Sequence, residues 1–80
     1  MPEASLERRV ENIIGLILGK AVSPGERLVM ASEPAWDSIK HIELVMTLEQ
    51  ELDISFEPED IPRLTSSYAI IAKVKEIHAS

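Results

Sequence analysis

The chain has no cysteine, which excludes disulfide staples and thiolate metal sites and leaves the fold to rest on packing alone. Only three residues are aromatic, Trp36, Phe56 and Tyr68, so a core must be built from Ile, Leu, Val and Met, a palette that suits helices better than a sandwich of sheets. The longest apolar run, Ile13 to Leu18, is interrupted by Gly15 and falls far short of the roughly 20 residues needed to cross a bilayer, so membrane insertion is not expected. At the N-terminus Glu3 and Glu7 precede Arg8 and Arg9, without a basic region followed by an apolar stretch and a small-residue cleavage site. No secretion signal is visible there, and a cytoplasmic location is the expectation. Glycine-rich phosphate loops, Cys/His clusters and dinucleotide fingerprints are also missing.

What is present fits one domain spanning residues 1–80, with 45% hydrophobic and 28% charged residues. A chain this short buries only about 60% of the surface its unfolded form exposes, so its stability margin is thin and no deep catalytic cleft is expected. The net charge of −6 is concentrated in the middle: between Glu33 and Arg63 nine acidic residues face only Lys40 and Arg63, while the rest of the chain is nearly balanced. Nucleic acid is not an expected partner, because gripping phosphates requires a basic surface that releases counterions. The acidic stretch is either a solvated face that aids solubility or a docking surface for basic partners.

Leu6, Val10, Ile13, Ile14 and Ile17 recur at helical spacing, Ser5 with Arg8 forms half a capping box, and Gly19 supplies a stop, which predicts a first helix over about residues 4–18. From Lys20 to Ala35, Pro24, Gly25 and Pro34 break any period, so this stretch is a long connection, with Leu28, Val29 and Met30 tacking it to the core. Asp37 is a good N-cap, and Ser38 to Leu52 contains no Gly or Pro. With Ile39, Ile42, Val45, Met46, Leu48 and Leu52 spaced for a helix, this is the second helix. After a turn-rich break, Glu59, Asp60 and Ile61 allow about one helical turn before Pro62 opposes continuation. Thr65 and Ser66 cap a last helix running to about His78, with Ile70, Ile71, Val74 and Ile77 on one face and Lys73, Lys75 and His78 near its C-terminal end. The expected fold is all-α: a small four-helix bundle with a long loop between helices one and two and a very short third helix.

Catalytic chemistry is hard to find. A nucleophile with a base and an orienting group needs a histidine, and only His41, one turn after Ser38, and His78 exist. By its place on the helical wheel, His41 flanks the core and reads as a partly buried structural residue. A hydrolase built on Ser38 and His41 lacks both an oxyanion hole and a third group. Asp53, Glu57, Glu59 and Asp60 lack the alternating oxygen ligands and central glycine of a calcium loop, so no metal site is expected.

Charge on the second helix is more telling. Lys40 in its first turn and Glu49 and Glu51 in its last oppose the helix macrodipole. Lys40, Glu43, Thr47, Gln50 and Glu51 share a polar arc, with Ile39 and Met46 at its margin. Those two side chains are either core or part of a seam that binds a partner.

The run WDSIKHIELVMTLEQELDI resembles the acyl carrier protein family, whose modification site reads Asp-Ser-(Leu/Ile) and is followed by a helix of Glu-Leu-Val-Met type. The similarity continues through FEPEDIPRLTSSYAIIAKV, which resembles the family's acidic loop, short third helix and apolar last helix, and it covers about residues 5–78. The resemblance implies that Ser38 receives 4'-phosphopantetheine from coenzyme A, with Asp37 as the neighbouring acid that assists the transferase. The physical setting agrees, since a phosphodiester there lies beside a helix N-terminus that favours an anion. The resemblance further implies a shuttle that is not itself an enzyme. It would hold acyl or aminoacyl groups as thioesters on the arm, and a flexible tether would raise their effective concentration at each partner.

By the same resemblance Ile39, Glu43, Met46, Glu49 and Glu51 contact basic patches on the phosphopantetheinyl transferase and on acyl-loading and acyl-accepting enzymes, through docking that is weak, fast and salt-sensitive. A monomer is expected. Trp36, Lys40, His41 and Gln50 depart from the general fatty-acid carriers, and the Trp-Asp-Ser pattern suggests a discrete carrier for a dedicated lipid or secondary-metabolite pathway. The alternative is an unmodified, carrier-like helical adaptor that docks basic partners through its acidic second helix.

Overall fold

In the computed structural model, which describes residues 5–79, three α-helices surround one apolar centre: α1 Leu6–Leu18, α2 Ser38–Leu52 and α3 Ser67–Ala79. Each begins or ends where the local chemistry demands. The Ser5 hydroxyl accepts the Arg8 amide at 3.1 Å and so satisfies one of the N–H groups that a first turn leaves without a partner. At the far end Gly19 adopts a left-handed φ of 72°, and its N–H donates to the Gly15 carbonyl. Ala4, expected in the first helix, lies outside the described residues.

α1 lies against both other helices. It buries Val10, Ile14 and Leu18, one side chain per turn, against Leu44, Val45, Leu48 and Leu52 of α2 and Ile70 and Val74 of α3. Gly15 is buried on α1 where the chain folds back over it, the Lys20 amide donating to the Gly15 carbonyl at 3.0 Å.

The long connection is anchored at three levels. Leu28 is buried and Met30 packs on the core, as their apolar character predicts, whereas Val29, expected to do the same, is half-buried outside the apolar cluster and pairs its backbone with Ser66. The buried Ser67 hydroxyl accepts the Leu28 amide at 2.9 Å and donates to the Glu26 carbonyl, while the Met30 amide donates to the Thr65 carbonyl at 2.8 Å. From α1, the Glu11 carboxylate, only 3% exposed, takes the Gly25 amide at 2.7 Å and the Arg8 guanidinium at 3.1 Å. These bonds answer the requirement that buried polar groups be partnered, and they hold the connection against both α1 and α3. α1 and α3 are also joined by Lys75 and Glu7 at 3.0 Å, and hydrogen bonding from Lys75 holds the Glu7 carboxyl below its ordinary value.

Three expectations need correction. The four-helix bundle is three α-helices, because the third member is a single 3-10 turn, Ile61–Arg63; a second such turn, Met30–Ser32, was not anticipated. The turn does not stop before Pro62 but contains it. A proline in a first turn forfeits no needed N–H, and the turn ends where Leu64 leaves helical geometry to bury itself in the core. Finally, only Ser66 caps α3 with its side chain, accepting the Ala69 amide at 3.1 Å; Thr65 contributes its carbonyl to the connection instead.

Candidate modification site and docking face

A turn in which the Trp36 amide donates to the Glu33 carbonyl at 3.0 Å leads through Asp37 into α2. Asp37 is the N-cap, with φ −97° and ψ −175°, and its carboxylate accepts the Lys40 amide at 2.8 Å. The cap is therefore already supplied when the chain reaches Ser38. Ser38 occupies the first helical position, exposed, and its hydroxyl has no hydrogen bond to any described residue. A serine with no capping duty, at the end of a helix where first-turn N–H groups and the dipole favour an anion, is chemically suited to carry a phosphodiester.

Past Ser38 the two sides of α2 diverge. His41, Leu44, Val45, Leu48 and Leu52 are buried. Ile39 is 70% exposed, Ile42 57% and Met46 56%, so the open alternative for Ile39 and Met46 resolves away from the core. Ile42, named only among the residues spaced for a helix, belongs with them. At about 100° per residue these three side chains fall within about 60° of one another and form a continuous apolar strip. Glu43 lies along one side of it, paired with Lys40 at 3.5 Å; the exposed Gln50 falls between Ile39 and Glu43, and the exposed Glu51 lies farther round the polar side. The sequence signal for Ile42 was an excess: α2 has apolar residues on more sides than one core can bury, so some must face out.

The candidate docking acids do not share one environment. Glu43 and Glu51 are exposed, whereas the half-buried Glu49 turns its carboxylate to the Phe56 amide at 2.8 Å and ties the end of α2 to the following loop. That bond gives Glu49 a local reason for standing in the last turn. Asp53 closes the helix in left-handed geometry with φ 54°, its N–H donating to the Glu49 carbonyl.

The departures Trp36 and His41 are partners. The Trp36 indole, 2% exposed, donates its Nε1–H to His41 Nδ1 at 3.0 Å, and His41 Nε2 lies 2.8 Å from the Ile61 carbonyl oxygen. With both ring nitrogens engaged, His41 has none left to take a proton from Ser38, which removes the hydrolase arrangement. The sequence marked His41 as structural and Trp36 as a departure from the general carriers but did not connect them.

An open groove of about 490 Å³ lies elsewhere, lined by α1, α3 and the connection, including Arg8, Pro24, Tyr68 and Ile71 and no residue of α2. Among the described residues no three His, Cys, Asp or Glu side chains are grouped to hold a metal ion, and no helix is long and apolar enough to cross a membrane. No protein-family model matches the chain, and no curated protein matches it.

Proposed function

We propose that this chain is an acyl carrier, holding acyl or aminoacyl groups as thioesters on a 4'-phosphopantetheine arm esterified to the Ser38 hydroxyl, within a dedicated lipid or secondary-metabolite pathway. The observation that carries the reading is the exposed, unbonded Ser38 hydroxyl at the first position of a helix already capped by Asp37, with an exposed apolar strip and acids beginning one residue later. When bound, the arm supplies the thiol to which cargo is attached. The chain's own residues place and present it. Asp37 orders the first turn, the N-terminus of α2 favours the anion, and Ile39, Ile42 and Met46 with Glu43 and Glu51 offer a face to basic, partly apolar partners. In this reading the Ile61–Arg63 turn stands in the place of the family's short third helix.

Incubating the unmodified chain with coenzyme A, magnesium and a broad-specificity phosphopantetheinyl transferase should add one arm to the wild type and none to Ser38→Ala, read by intact mass. A wild-type chain that gains no mass sinks the proposal. Salt-sensitive binding of basic partners that persists in Ser38→Ala, without modification of the wild type, points instead to the unmodified adaptor.

Ile42→Glu should lower kcat/KM for modification about tenfold or more by placing a charge in the apolar strip, while the exposed site keeps folding stability within about 0.5 kcal/mol of wild type. An unchanged kcat/KM would remove Ile42 from the docking face.

A further inference from the structure

The bond between Trp36 and His41 sets a proton requirement. An indole N–H can only donate and a carbonyl oxygen can only accept, so the imidazole between Trp36 and Ile61 must present a bare Nδ1 to the indole and a proton on Nε2 to the carbonyl. Only the neutral ring, in that tautomer, makes both bonds. A second proton would occupy Nδ1, the lone pair now holding the indole, and set one N–H against another across 3.0 Å in a buried site. The Ile61 bond would survive this change and the Trp36 bond would not. Losing it leaves a buried indole N–H without an acceptor, which is costly where water does not reach.

We propose that Trp36 and His41 form a proton-operated latch: the neutral imidazole locks the segment presenting Ser38 to the first turn of α2 and to the Ile61–Arg63 turn, and protonation releases Trp36 from it. The segments meeting there carry other ionisable side chains, Glu33 before the helix, Asp37 and Lys40 on α2, Asp60 and Arg63 at the turn and Lys73 on α3. Glu33 is held by Lys20, the Asp37 carboxylate takes the Lys40 amide, Lys40 pairs with Glu43 and Asp60 pairs with Lys73. Neither bond to the ring comes from a titrating group, since the indole N–H and the Ile61 carbonyl keep their protonation throughout. The imidazole is therefore the element that switches. Because Trp36 lies two residues before Ser38, release would loosen the approach to the modification site. The latch does not depend on the carrier reading and would operate in a chain that carries no arm.

The test follows the unmodified full chain by NMR from pH 8 to 5, the interval in which histidine side chains ordinarily change charge. The expected result is that, as pH falls, the Trp36 indole N–H shifts and loses about tenfold of its protection from solvent exchange, measured against a free indole at the same pH, with the same midpoint as the His41 ring nitrogens, and that at pH 8 those nitrogens report the Nε2–H tautomer. Trp36 is the only tryptophan, so its emission follows the same event. His78→Gln should leave the transition in place. His41→Gln, which offers an acceptor that does not titrate, should abolish it. An indole N–H that ignores titration of the His41 ring, a ring that stays neutral down to pH 5, or an unchanged transition in His41→Gln would overturn the latch. Where His41→Gln does not fold, the wild-type comparison of ring and indole decides by itself.

Discussion

Leu48→Ala is expected to destabilise this protein by about 3–5 kcal/mol, while Ile42→Ala, less than two turns earlier on the same helix, changes stability by no more than about 0.5 kcal/mol. Leu48 is fully buried in the centre shared by all three helices, so truncation removes its transfer free energy and leaves a cavity that surrounding helices close only in part. Ile42 loses little, because more than half of its surface already faces water. At about 0.05–0.15 kcal/mol per residue, a chain of 80 residues has a total stability of about 4–12 kcal/mol. The Leu48 variant should therefore lose between about a quarter and all of that stability. Urea denaturation with a common m-value checks both substitutions, and similar midpoints for the two would contradict the assignment of faces on α2.

Gly15→Ala is expected to destabilise the fold by about 1–3 kcal/mol, although helix propensity alone argues for a gain of about 1 kcal/mol from replacing an interior glycine. The reason is a close approach. A Cβ at position 15 would lie 2.6 Å from the Lys20 carbonyl oxygen and 3.3 Å from a methyl of Val22. The first of these atoms is backbone, and it belongs to a turn held by bonds from the Gly19 and Lys20 amides to the Gly15 carbonyl. Relief requires that turn to move away from α1, taking the buried Val22 with it. Chemical denaturation of Gly15→Ala against wild type reads the sign directly, and a stabilised variant would show that the turn yields freely.

These two expectations mark the boundary of what local sequence can reveal. Gly15 interrupts an apolar run, and from the sequence it is only a weak point in a helix; its use appears once Lys20 and Val22 fold back over it. Glu49 likewise looks like an acid placed against the dipole until its carboxylate is found on the Phe56 amide. At the candidate site, the sequence placed Ser38 behind a capping Asp37 and identified Ile39, Met46, Glu43 and Glu51 as neighbours on one helix. It did not separate Ile42 from the buried set, because Ile42 satisfies helical spacing as well as Leu44 or Val45 does. Exposure is decided by which face meets α1, and apolar residues on nearly every side leave that face undetermined.

By itself the sequence determined the three long helices and nearly where each begins and ends, since Ser5, Gly19, Asp37 and Ser66 act on backbone groups within four residues of themselves. It also determined that the third helical element must be short, because a turn-rich break ending at Pro58 precedes it and Pro62 opposes a longer helix, although the turn itself contains Pro62. Only the tertiary structure decided that this element is a single 3-10 turn, that Ile39, Ile42 and Met46 form an exposed strip, and that Trp36 and His41 share a hydrogen bond reaching to Ile61. Capping and periodicity act over one turn of chain and leave their mark in local spacing. Burial, close approach and the choice of hydrogen-bond partner depend on which surfaces the packed helices bring together.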